Sequence, residues 1–134
     1  MDLQKKFGTD HDLEAEAGID IDFGDGAVVT IRRAGGANKK YSNTARRVFK
    51  PHRQQIEADT ISEEKLVGLL ARIYAEAVIL DWRGVTIGGK EVPFEREAVI
   101  EALVAFPEFF NAIRNEAESA AAFRREELEA DAKN

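Results

Sequence analysis

The chain contains no cysteine, only three prolines, and a single methionine and tryptophan among 134 residues. Without cysteine there can be no disulfide framework, no thiolate zinc site and no sulfur nucleophile, a composition that fits a reducing compartment. No run of about 18 apolar residues occurs, so no membrane-spanning helix is predicted. The opening residues carry Asp2, Asp10, Asp12, Glu14 and Glu16 where a cleaved export signal needs an apolar stretch, so export by that route is not expected. A chain of this length suits one domain that can bury roughly two thirds of its unfolded surface and fold without metals.

What is present is charge, and it is unevenly placed. The net charge of −6 divides into an acidic first segment, residues 1–31, a basic island over residues 32–53 without a single acid, and an acidic remainder. The island comprises Arg32, Arg33, Lys39, Lys40, Arg46, Arg47, Lys50 and Arg53. Such an island is either a solvated face that meets acidic segments of this chain or another copy, or a phosphate-binding patch with Tyr41 or His52 stacking on bases.

The patterning predicts an α+β, mainly α fold: an N-terminal β-hairpin, then a bundle of about four helices with a small hairpin excursion between helices. Ile19, Ile21 and Phe23 alternate with acids, an Asp25-Gly26 turn follows, and Val28, Val29 and Ile31 continue. Lys39 to Phe49 predicts a basic helix that Pro51 interrupts, with another turn or two after Arg53. Residues 59–82 predict the central helix, capped by Thr60 or Ser62, with Leu66, Leu69, Leu70, Ile73, Ala77 and Leu80 on one face. Gly88-Gly89 turns a miniature hairpin, residues 95–105 form a short helix, and Pro107 opens the last one. Past Ile113 that helix offers only alanines, Phe123 and Leu128 for packing, so its end is expected to project or to dock elsewhere. Three regions result: a flexible N-terminal arm (1–18), a main domain (19–115) and a charged helical extension (116–134).

Catalytic and ligand motifs fail on inspection. Residues 20–31 resemble a calcium loop only at their first and third positions; the sixth is Asp25 where glycine is needed and the twelfth is Ile31 where a bidentate Glu is needed. Gly24 and Gly26 lack the third glycine of a dinucleotide loop. His11 and His52 have no partners at ligand spacing, and no serine sits in a nucleophile elbow. The sequence therefore predicts no enzyme, no metal and no cofactor. Trp82 and Phe94 are read as a structural joint that pins the two ends of the glycine-turned excursion.

The order of these weak signals resembles the tail assembly chaperones of long-tailed bacteriophages and their prophages. The residues that carry the likeness are Ile79-Leu80-Asp81-Trp82, Gly84, Gly88-Gly89-Lys90, Pro93-Phe94, the alanine-rich residues 98–103, and Pro107-Glu108-Phe109, preceded by a strand and a basic helix. The likeness covers residues 19–115. Glu95 stands where Ser or Thr is common, and His52 where an aromatic is common. The resemblance implies a non-enzymatic protein of the host bacterial cytoplasm that binds and solubilises the tape measure protein, helps recruit tail tube subunits and is absent from the mature virion. Client contact is expected at Phe109, Ile113, Phe123 and Leu128, unless Phe109 and Ile113 are simply core, and self-association into an oligomer or spiral through Lys39, Lys40, Arg46, Arg47 and Arg53, unless these form an ordinary solvated surface. The alternative is a small nucleic-acid-binding regulatory protein using the basic helix over residues 39–53.

Overall fold

The computed structural model describes residues 1–124. Its main sheet has three antiparallel strands in the order β1 (Ile19–Gly24), β2 (Ala27–Ile31) and β3 (Ile79–Arg83). Asp25 and Gly26 both take positive φ, 54° and 79°, the geometry of a tight turn whose twist matches the flanking strands. Register lines up Ile21, Val29 and Trp82 in one row across the sheet, and Ile19, Ile31 and Ile79 in another. These rows form the apolar face on which the helices pack.

Four helices of ten residues or more surround that face: α3 (Lys39–Phe49), α5 (Glu63–Ala77), α6 (Arg96–Ala105) and α7 (Pro107–Glu118). Three short ones accompany them: α1 (Leu3–Phe7), α2 (His11–Ala15) and α4 (Arg53–Glu57). The mixed, mainly helical architecture with its N-terminal hairpin is thus the one the sequence predicts. Pro51 converts the end of the basic helix into a single 3₁₀ turn before α4 resumes. Ser62, and not Thr60, caps α5 by accepting the Lys65 amide at 3.1 Å. The glycine-turned pair β4 (Thr86–Ile87) and β5 (Lys90–Glu91) is also present.

Three expectations change. The central helix ends at Ala77, and Ile79 to Trp82 run as strand β3 against β2. An apolar run such as Val78-Ile79-Leu80 suits either helix or strand, and the open edge of β2 decides the matter by taking up its backbone groups. The Asn38 side chain reinforces the break, donating to the carbonyls of Ala77 (2.9 Å) and Arg33 (2.8 Å) while itself buried.

The expected flexible arm is docked in its second half. Asp10 caps α2 by accepting from the Asp12 and Leu13 amides, and its own amide donates to the Phe123 carbonyl at 2.8 Å. Leu13 enters the core, and the carboxylate of Glu14, 1% exposed, pairs with Arg33 and accepts from Thr9 Oγ1. A local reading sees an acid-rich, poorly anchored segment, because its partners sit on distant elements. Gly36 belongs to the same latch: a Cβ there would lie 2.1 Å from a Glu14 carboxylate oxygen.

The third change concerns the extension. α7 stops at Glu118, and a 3₁₀ turn, Ala121–Phe123, folds back so that Phe123 is fully buried against the N-terminal segment. Residues 125–134, including Leu128, lie outside the described residues.

The main core gathers Val29, Ile31, Tyr74, Leu103, Phe110 and Ile113 with the alanines at 71, 102 and 117. Tyr74 sits edge-on to both Tyr41 and Phe110, and burial raises its phenol above the ordinary value. A smaller cluster of Val48, Leu69 and Ile73 joins α3 to α5.

Candidate partner-binding groove

The excursion between β3 and α6 shapes an open apolar depression on the surface of the described residues. Trp82 is buried; its indole N–H donates to the Val92 carbonyl at 3.0 Å, and its ring meets Phe94 edge-to-face at 5.7 Å and Phe109 at 6.1 Å. The chain that leaves Trp82 and the chain that returns past Phe94 are thereby held together at their base, and β4 and β5 form an exposed flap beyond it. Gly84 brings the flap against the β1–β2 turn. Its φ is +71°, and a Cβ would fall 2.2 Å from the Gly26 carbonyl oxygen, a clash with backbone that only glycine avoids.

Between the flap, the tip of the β1–β2 hairpin and the corner where α6 turns into α7 lies a groove of about 760 Å³. Phe23, Val85, Ile87, Ala105, Phe106 and Phe109 give it a mostly apolar lining, with Asp25 and Glu108 as its ionisable members. Three of its large apolar side chains stay well exposed: Phe23 at 38%, Ile87 at 42% and Phe106 at 46%. Phe23 also leans on Phe109, with ring centroids 5.4 Å apart. Burying the exposed part of each of these three side chains, on the order of 80 Å², would be worth about 2 kcal/mol per residue before association costs.

The expected contact residues fall in different places. Phe109 is half-buried and lines the groove, Ile113 and Phe123 are fully buried in the core, and Leu128 is outside the described residues. Buried in this way, Ile113 and Phe123 cannot touch a partner without unpacking the core. The exposed groove residues Phe23, Ile87 and Phe106 were not among the expected contacts. Read along the chain, they look like a strand residue, a turn neighbour and a helix stop, and only the tertiary fold brings them together.

On the basic helix, Lys39, Lys40, Arg46, Arg47 and Arg53 are all exposed. They are not equivalent. Arg47 pairs with Glu76 on α5, whose other carboxylate oxygen accepts from Arg96 of α6 at 3.0 Å, so Glu76 links the three helices. Arg46 donates to Asn43 at 3.3 Å. Among the described residues, Lys39, Lys40, Lys50 and Arg53 form no ion pair. No group of three or more His, Cys, Asp or Glu among the described residues could hold a metal ion, and no described helix is long and apolar enough to cross a membrane.

The model of the YdaY prophage protein family matches residues 36–134, about three quarters of the chain, and the protein belongs to that family. The match begins after the β1–β2 hairpin and takes in the basic helix, the central helix, the Trp82 flap and the α6–α7 corner. No match was found among curated proteins or among solved structures. The protein is therefore of prophage origin.

Proposed function

We propose that this prophage protein is a tail assembly chaperone, a non-enzymatic protein that holds an apolar helical stretch of the tape measure protein in the groove between the flap, the hairpin tip and the α6–α7 corner. The observation that carries this reading is the exposure of Phe23, Ile87 and Phe106 around one open depression. Three large apolar side chains kept accessible around one depression are what a holdase for greasy helices requires. The family membership supplies the phage setting, and the order of motifs from Ile79 to Phe109 supplies the likeness to tail chaperones. In this reading the protein works in the host cytoplasm, helps bring tail tube subunits to the covered tape measure protein, and leaves before the virion is finished.

The test is co-purification of the protein with the tape measure protein encoded in the same prophage. Ile87→Asp with Phe106→Asp places two charges in the groove at positions that are already exposed, so folding should persist while client recovery falls at least about tenfold. Undiminished recovery with this variant would remove the groove from the mechanism. Retention of duplex DNA by the unaltered protein, with no tape measure protein recovered, would favour the regulatory alternative.

A further inference from the structure

The groove beside the flap has a charge sign as well as an apolar lining. Among the described residues that line it, Asp25 and Glu108 are the only ones that ionise; both are acids, and no lysine or arginine of the chain joins them. Both are exposed, and among the described residues neither is in an ion pair. Local structure places each of them. Asp25 sits at the tip of the β1–β2 turn with φ 54°, and Glu108 lies in the first turn of α7, directly after Pro107. Each is also set among aromatic residues. Phe23 comes two residues before Asp25, and Phe106 and Phe109 bracket Glu108. The contact between Phe23 and Phe109, with ring centroids 5.4 Å apart, brings the two acid-bearing segments together on one side of the groove.

An apolar helix laid in this groove takes water from both carboxylates. A carboxylate that loses water without gaining a counter-charge weakens binding. A lysine or arginine in the helix offsets that loss, because its aliphatic stem lies along the apolar wall while its charged head reaches the rim. Exposed phenyl faces beside the acids attract the same cation. We infer that the stretch this groove selects is an apolar helix that carries lysine or arginine among its apolar residues, with Asp25 and Glu108 reading that charge. The inference rests on the groove being the client site and adds which apolar helices it accepts. Helices bordered by acids, and nucleic acid, are disfavoured by the same two carboxylates. A wholly apolar helix of the kind that spans membranes leaves both carboxylates without a partner, so the groove discriminates against it as well.

Three helical peptides of about 18 residues, or five turns, test this: they share one leucine–alanine face, bordered by lysines, glutamines or glutamates. Binding to the full chain is read by fluorescence anisotropy of a labelled peptide. The lysine peptide should bind at least about fivefold tighter than the glutamine peptide at low salt, and the glutamate peptide weaker than both. Asp25→Asn with Glu108→Gln suits the turn and the helix start and should erase the lysine advantage. Glu57→Gln with Glu97→Gln removes the same charge at exposed positions that do not line the groove, and should leave the advantage in place. Equal binding of the lysine and glutamine peptides would overturn the inference. So would a lysine advantage that survives equally in both double variants, since it would then follow from the net charge of −6 alone. In either case, loss of the glutamine peptide's binding in Ile87→Asp with Phe106→Asp would leave the groove standing as the client site, so the two readings fail separately. Absence of binding by all three peptides would overturn both. Self-association of the unaltered chain that Ile87→Asp with Phe106→Asp abolishes would give the groove to a second copy and overturn the inference too.

Discussion

Replacing Trp82 with Phe tests whether the flap is held as a rigid wall or merely lies against the body. The substitution removes the indole N–H that donates to the Val92 carbonyl at 3.0 Å, a bond worth about 1 kcal/mol net, with a further penalty for the half-buried acceptor left behind. It also deletes roughly 40 Å³ of ring from a buried site, which at about 24 cal/mol per Å³ adds about 1 kcal/mol. A loss of about 2 kcal/mol is expected, a fall in Tm of roughly 6–8 °C for a domain of this size. Because Trp82 is the only tryptophan, unfolding is followed by far-ultraviolet circular dichroism in urea. Phe94→Leu is the control: it loses only an edge-to-face contact at a 37% exposed ring and should cost about 0.5–1 kcal/mol. If Trp82→Phe unfolds within about 0.5 kcal/mol of the unaltered protein, the indole is not the clamp and the account of the flap is wrong.

Two further substitutions probe the same frame. Asn38→Ala strands the carbonyls of Ala77 and Arg33 at a buried site and should destabilise by about 2–3 kcal/mol in urea titration, whereas an exposed asparagine would cost almost nothing. Gly84→Ala combines positive φ with a clash against the Gly26 carbonyl; it should cost at least about 1–2 kcal/mol and also weaken client capture by displacing the groove wall, a pairing that a purely local strain would not produce.

Much of the fold is legible in the sequence because its signals are local. The Asp25-Gly26 turn, the Gly88-Gly89 turn, the Pro51 interruption and the Ser62 cap each depend on a few adjacent residues. Three features depend on partners far along the chain and are not legible. Ile79 to Trp82 carry a pattern compatible with helix until β2 offers an edge. Glu14 reads as a solvated acid until Arg33 and Thr9 close around it. Phe123 reads as a projecting anchor until Asp10 and Leu13 arrive to cover it. The groove is the extreme case, since Phe23, Ile87 and Phe106 lie 64 and 19 residues apart in sequence and each has a bland local explanation. The basic helix was visible as charge, but the diversion of Arg47 to Glu76 required the packing of α3 on α5.

The central claim is that the depression beside the flap is where a partner's apolar helix lies. Amide hydrogen exchange on the protein alone and in complex with the tape measure protein addresses it directly. The account predicts new protection over residues 23–27, 85–87 and 105–109, with α3 and α4 unaffected by the client. Protection confined to the basic helix, with the three groove segments exchanging as in the free protein, would contradict it.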